Sequence, residues 1–162
     1  MSKKKIKIDK TNVIRILEKE KRNFETIRYD FNENEIDALS VAKKIEAKPE
    51  MVFKTLVANG NKTGINVFVV PGPFELDLKK AAAVSSNKKI ELIKVKDLSP
   101  ITGYIRGGCS PIGMKKSYPT YIDESARLFE WIYISAGIRG MQVKILPSDL
   151  LNLVNAKFVD II

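Results

Sequence analysis

The residues best suited to chemistry lie in three short stretches. The first, Gly103-Tyr104-Ile105-Arg106-Gly107-Gly108-Cys109-Ser110-Pro111-Ile112-Gly113, joins paired glycines to a proline-fixed exit. Glycine permits backbone angles and close approaches denied to residues with a Cβ, and Pro111 fixes the chain just after Ser110. Amides exposed in such a turn can stabilise a developing oxyanion or hold an adenosine and its ribose; the plainer reading is a tight structural turn. The loop is not of the Walker kind, because no Lys-Ser/Thr ending follows at the required spacing. The second stretch is Val52-Phe53-Lys54-Thr55-Leu56-Val57. Strand alternation puts Lys54 on the face of Val52 and Leu56, so its ammonium lies along an apolar side. Such a lysine snorkels out or blunts a sheet edge, or it serves as a fixed charge that orients an ester and offsets charge on an attacked carbonyl. The third is Ser135-Ala136-Gly137-Ile138-Arg139-Gly140. Glycines around Arg139 hold a guanidinium fork in a constrained turn, suited to phosphate or carboxylate, while Ser135 either bonds a substrate amine or caps local backbone.

What is missing narrows the chemistry as much as what is present. The chain has no histidine, and Cys109 is its one cysteine. A Ser-His-Asp triad and an ordinary zinc deaminase site are therefore excluded, as are intrachain disulfides. Cys109 has no imidazole to activate it; it would depend on backbone amides, Arg106 or a lysine, and packing as a small hydrophobe is the simpler role. Lys and Arg exceed Asp and Glu by 28 to 19, a formal charge of +9. That excess suits a polyanionic partner such as RNA, although a general lysine bias gives the same balance.

The elements that must position these groups are legible from periodicity. At 162 residues and 44% apolar content, one compact domain with its own core is expected, after a basic N-terminal segment over 1–10. No signal peptide or membrane-spanning stretch is read, and a reducing cytosol fits the cysteine usage. Thr11 or Asn12 caps a first helix through Val13, Ile14 and Leu17, and Thr26–Asp30 is extended. Asp37 opens a second helix through Ala38, Val41, Ala42 and Ile45, which Lys48-Pro49 ends or redirects. Val52–Ala58 and Ile65–Val70 read as a hairpin around a turn-rich Asn59–Gly64, and Asp77 caps a third helix. Glu91–Val95 reads as a strand, Leu98–Thr102 as a helical turn, and Thr120–Asp123, Glu130–Ser135 and Met141–Ile145 as strands. A last helix opens at Ser148-Asp149. The sum is an α+β fold, a mixed and mostly antiparallel central sheet flanked by helices.

Taken in order, Phe53-Lys54-Thr55-Leu56, Glu75-Leu76-Asp77-Leu78-Lys79-Lys80, Thr102-Gly103-Tyr104, the Gly107–Gly113 loop with Lys115-Lys116, and Ser135–Gly140 resemble the motif set of the YbaK-type Cys-tRNA(Pro)/Cys-tRNA(Cys) deacylases. These are related to the editing domain inserted in bacterial prolyl-tRNA synthetase. The resemblance runs from about Thr11 to Ile161, and it implies a cytoplasmic aminoacyl-tRNA deacylase domain over 11–162. It implies that the enzyme removes cysteine from mischarged tRNA(Pro), with weaker discrimination against Cys-tRNA(Cys). The partners it implies are cysteinyl-tRNA(Pro) and, transiently, prolyl-tRNA synthetase; no cofactor, metal or membrane is implied. The family lysine falls at Lys54, the expected catalytic residue. Tyr29, Phe53, Thr55, Gly107, Gly108, Ser135 and Arg139 are the expected substrate-binding positions. Cys109 departs from the commoner Gly-Gly-Ile-Ser-Pro form of the loop. The implied mechanism is substrate-assisted: the cysteinyl thiol attacks its own ester and leaves as a cyclic thiolactone, so no enzymic histidine is needed. Two other readings stand beside it, an alanine-directed deacylase that uses water, and a non-catalytic module that binds tRNA or a synthetase.

Overall fold

A computed structural model describes residues 10–162, so the basic segment expected over 1–10 lies, except for Lys10, outside the described residues. Helix α1 (Asn12–Lys19) starts where Thr11 accepts the Ile14 N–H on its hydroxyl, and it buries Val13, Ile14 and Leu17. Strand β1 (Phe24–Arg28) follows, then α2 (Ala38–Lys44), whose cap Asp37 takes both the N–H and the hydroxyl of Ser40. Pro49–Met51 makes one turn of 3-10 helix and delivers the chain into β2 (Phe53–Gly60). β2 turns back on β3 (Gly64–Pro71) in the expected antiparallel hairpin.

The rest of the chain closes two sheets over this hairpin. α3 (Leu78–Val84), capped by Asp77, leads to β4 (Ile90–Leu92), α4 (Val95–Thr102) and β5 (Thr120–Asp123). β6 (Ile132–Ser135), β7 (Met141–Ile145), α5 (Pro147–Leu153) and β8 (Lys157–Val159) complete the order. One sheet runs β4-β2-β3-β5-β8 and the other β1-β7-β6. Pairing is antiparallel except for β3 with β5 and β5 with β8, so the mixed, mostly antiparallel α+β class holds. The strands form two sheets, which a parallel bridge between Val52 and Tyr133 joins.

β3 shows why its sequence is apolar without alternation. Val67 and Val69 face the main core with α1, β6 and β7, while Phe68 and Val70 face a second cluster with Ala81 and Ala82 of α3. All four are fully buried, and each such side chain contributes on the order of 1.5–3 kcal/mol. A strand covered on both faces becomes a rigid rail, and β2 is held against it from Phe53 to Gly60. The first residues of β2 therefore sit in a fixed place where the two sheets meet.

Candidate active site

That junction is hollow. A cleft of about 430 Å³ opens between the start of β2, the N-terminal part of α2, the glycine loop and the ends of β6 and β7. Lys54, Phe53, Thr55, Gly107 and Ser135 all line it, so five of the eight residues expected from sequence converge although up to 82 positions separate them. A larger hollow of about 670 Å³ lies behind the loop, between Pro111–Tyr121 and Leu153–Lys157, and contains none of the eight.

Lys54 is half-buried, and its ammonium donates to the carbonyl of Gly72 at 3.2 Å. Gly72 follows β3 directly and is held in turn by its own N–H, which donates to Val52 O at 2.8 Å. No Cβ fits at Gly72: it would stand 2.8 Å from Ala38 Cβ and 3.1 Å from Val52 O. Burial holds the Lys54 pKa below its ordinary value, with the Glu75 carboxylate pulling weakly the other way. The side chain is thus neither an edge guard nor a free surface charge but a cation fixed in the cleft wall. Phe53 and Thr55 point to the opposite face of β2; Phe53 belongs to the main core, and the Thr55 hydroxyl is buried without a partner.

The glycine loop forms the facing wall and is tied from within. Gly103 ends α4 in the left-handed region, the Tyr104 amide donates to Thr102 Oγ1, and the Tyr104 hydroxyl donates to Ile112 O. Gly107 has φ +84°, and a Cβ there would lie 2.9 Å from Ile36 Cβ. Gly108 sits behind it against the backbone of Ile138, and its N–H is taken by Ile105 O. Of the paired glycines, then, only Gly107 faces the cleft, and the Gly107 and Cys109 amides have no backbone acceptor among the described residues. Arg139 fastens the two loops together, its Nε donating to Arg106 O at 2.8 Å, and Arg106 takes the position on the cleft rim. Ser135 Oγ accepts the Gly137 N–H at 3.1 Å, the local capping bond, which leaves its own hydrogen to donate. Tyr29 lies outside the cleft, in a separate shallow hollow with Phe31 and Lys44, and packs behind α2.

Three other groups complete the site. Cys109 lines the cleft, but burial pushes its thiol up to about 12, so it is held as a neutral thiol. Asp37 is the one carboxylate in the lining among the described residues; its hydrogen bonds from Ser40 hold it below the usual range, leaving it a weak base. Gln142 of β7 is buried in the wall, although the alternation Met141-Gln142-Val143-Lys144-Ile145 sets it on the polar face with Lys144 and so gives no sign of its burial. Ile36, Leu39 and the Gly72 carbonyl are equally silent in the sequence, because only the fold brings them here. Among the described residues, no group of three or more Cys, Asp or Glu side chains is placed to hold a metal ion. No helix among them is long and apolar enough to cross a membrane.

The profile of the aminoacyl-tRNA editing domain family matches residues 33–153, a span that contains Lys54, the glycine loop and Ser135. EbsC of Enterococcus faecalis, a proposed Cys-tRNA(Pro)/Cys-tRNA(Cys) deacylase, is 48% identical over 161 residues, covering 99% of this chain and 98% of its own. Among solved structures, a scaffold protein used for epitope backbone grafting superposes with a TM-score of 0.81 at 25% identity, over 92% of this chain and 93% of its own. A proposed trans-editing enzyme for prolyl-tRNA synthetase superposes with a TM-score of 0.79 at 24% identity, over 93% and 97% of the two chains, and so shares the fold. The chain belongs to the YbaK/EbsC-type Cys-tRNA(Pro)/Cys-tRNA(Cys) deacylase family, related to the editing domain of prolyl-tRNA synthetase. Its general activity is that of a trans-editing aminoacyl-tRNA deacylase.

Proposed function

We propose that residues 11–162 form one deacylase domain that clears cysteine from tRNA(Pro), and also acts on Cys-tRNA(Cys), by letting the bound cysteine attack its own ester. The observation that carries this is that the described residues place no usable base in the cleft. Asp37 is spent on its helix cap, Cys109 is held protonated with a pKa of about 12, Lys54 is engaged as a donor, and the chain has no histidine. Water attack needs a general base, whereas a thiol ionises appreciably near neutral pH and is already tethered to its target.

In this reaction the substrate thiol releases its proton to solvent and the sulfur bonds to the ester carbonyl carbon. The oxyanion that develops is stabilised by the Lys54 ammonium and by the free amides of the loop. The carbon–oxygen bond to the ribose then breaks, the ribose oxygen takes a proton from solvent, and the thiolactone departs to hydrolyse with one water to cysteine. Phe53, Thr55, Gly107 and Ser135 shape the aminoacyl pocket, and Gly108 and Arg139 support it from behind. Tyr29 acts through the position of α2. Proline is spared because it has no thiol, and a serine ester reacts slowly because its hydroxyl is the poorer nucleophile.

The partners in this reading are cysteinyl-tRNA(Pro) and, transiently, prolyl-tRNA synthetase, the setting being the cytoplasm. The excess of 28 basic over 19 acidic residues supports a tRNA-binding surface. A deacylation panel with Cys-, Ser-, Ala- and Pro-tRNA(Pro), with mass analysis of the released product, is the test. Rapid release from the cysteinyl ester with thiolactone in the product is expected; robust cleavage of the alanyl ester alone would overturn the assignment.

A further inference from the structure

We infer that Gln142 is a substrate-binding residue of this cleft, accepting a hydrogen bond from the α-amino group of the aminoacyl end. The inference rests on the deacylase reading above and adds to it the group that recognises the amine. Gln142 is 5% exposed, lines the cleft, and pairs directly across β6–β7 with Ser135, so the two side chains stand together on one face. Its Oε1 is buried with no hydrogen-bond partner, as is the Thr55 hydroxyl in the same wall. Buried acceptors are nearly always satisfied, and one without a partner among the described residues, on a side chain that lines a cleft, is matched by a donor that arrives with the ligand as the wall adjusts around it.

The chemistry of the incoming group narrows the donor. A thiol is a weak donor, and an ester carbonyl donates nothing. The ribose and adenine are too bulky to reach a residue this deep, and they remain at the rim near Arg106. The α-amine is small, lies one carbon from the carbonyl placed against Lys54, and carries two hydrogens in its neutral form. Two cationic side chains, Lys54 and Arg106, favour that neutral form over an ammonium and outnumber the Asp37 carboxylate in the same lining, which is engaged with Ser40. The amine lone pair then faces the hydrogen that Ser135 has free, since the Ser135 oxygen already accepts from Gly137. Gln142 and Ser135 thus read the two polarities of one amino group.

The test compares two esters of tRNA(Pro) that share the thiol and differ in the amine, cysteinyl and β-mercaptopropionyl, in wild type, Gln142→Met and Gln142→Glu. In wild type the des-amino ester should show a KM about a hundredfold higher, because it forgoes the bonds to both Gln142 and Ser135 at roughly tenfold each. Gln142→Met should raise the KM of the cysteinyl ester about tenfold and leave that of the des-amino ester unchanged. Its Tm should equal or exceed that of wild type, because an open acceptor has been removed, a combination that a purely structural role would not give. Gln142→Glu keeps the acceptors and should stay within about threefold of wild type on the cysteinyl ester. Equal KM values for the two esters in wild type, or an equal rise for both in Gln142→Met, would overturn the inference while leaving the deacylase reading intact. If wild type cleaves neither ester, the two fall together.

Discussion

Replacing Lys54 with methionine separates catalysis from folding more cleanly than any other change in this cleft. The structure gives Lys54 two opposed contributions to stability. Its bond to the Gly72 carbonyl is a charge-assisted one, worth about 1.5–3 kcal/mol, while half-burying an ammonium works against the fold and holds its pKa down. The two oppose each other, so Lys54→Met should cost less than the roughly 1.5–3 kcal/mol of the bond alone. The oxyanion is another matter, because a fixed donor withdrawn from it costs roughly 10²–10³ in kcat, or about 2.7–4 kcal/mol. Single-turnover deacylation of Cys-tRNA(Pro) reads the second quantity, and urea denaturation of the same preparations reads the first. Lys54→Arg, which keeps the charge in a bulkier form, should recover part of the rate. A loss of less than about tenfold in Lys54→Met with an unchanged urea midpoint would refute the role given to this cation.

Other perturbations have equally definite signs. Cys109→Ala should keep kcat within about twofold, because a thiol held near a pKa of 12 is neither nucleophile nor base; a thousandfold fall on an intact fold, expressed as roughly 4 kcal/mol of barrier, would reverse that. Gly107→Ala puts a side chain at φ +84° and 2.9 Å from Ile36, so it should destabilise by about 1–3 kcal/mol and lower kcat/KM by at least about tenfold as the loop moves off the cleft, measured by denaturation and by deacylation. Burial lifts both Cys109 and Tyr104 to about 12, from ordinary values of 9.0 and 10.0. The native state therefore keeps protons that the unfolded chain releases above pH 9, and stability should fall as pH rises from 9 toward 12. Cys109→Ala combined with Tyr104→Phe should flatten that limb of a urea-midpoint profile against pH.

Much of this molecule is legible in its sequence, and the gaps have physical causes. Caps are local, so Thr11, Asp37 and Asp77 mark their helices correctly. The hairpin is equally local. The last helix begins at Pro147, one residue before the expected Ser148-Asp149 opening, because proline is pre-set for a first turn whatever caps it. α4 runs from Val95 where a strand was expected up to that residue and a helical turn from Leu98; Pro100 inside it disguises a helix that tertiary packing tolerates. β8 has no local signature, since Lys157–Val159 is three residues long and forms its ladder with β5. The division into two sheets is likewise set by long-range contacts that no local pattern carries. At the site, Lys54 stands out because a charge on an apolar strand face conflicts with its neighbours. The Gly72 carbonyl has no side chain to betray it, and Pro71-Gly72-Pro73 reads simply as the end of a strand.

The site's economy follows from which groups the fold has left unspent. Arg139, the most conspicuous cation of its loop, is committed to the Arg106 carbonyl; Asp37 is committed to Ser40; the Gly108 amide is committed to Ile105. What remains without a full set of partners around the cleft, among the described residues, is the Lys54 ammonium with two hydrogens to spare, the Gly107 and Cys109 amides, a serine hydrogen, and the buried oxygens of Thr55 and Gln142. Each of these groups donates or accepts hydrogen bonds, and none is a side chain that serves as a general base. In the mechanism proposed above such a cleft suffices, because the substrate brings its own nucleophile and the wall need only orient it and stabilise the developing charge. Discrimination then follows from chemistry as much as from fit, because an aminoacyl group without a thiol can occupy the pocket and still not react.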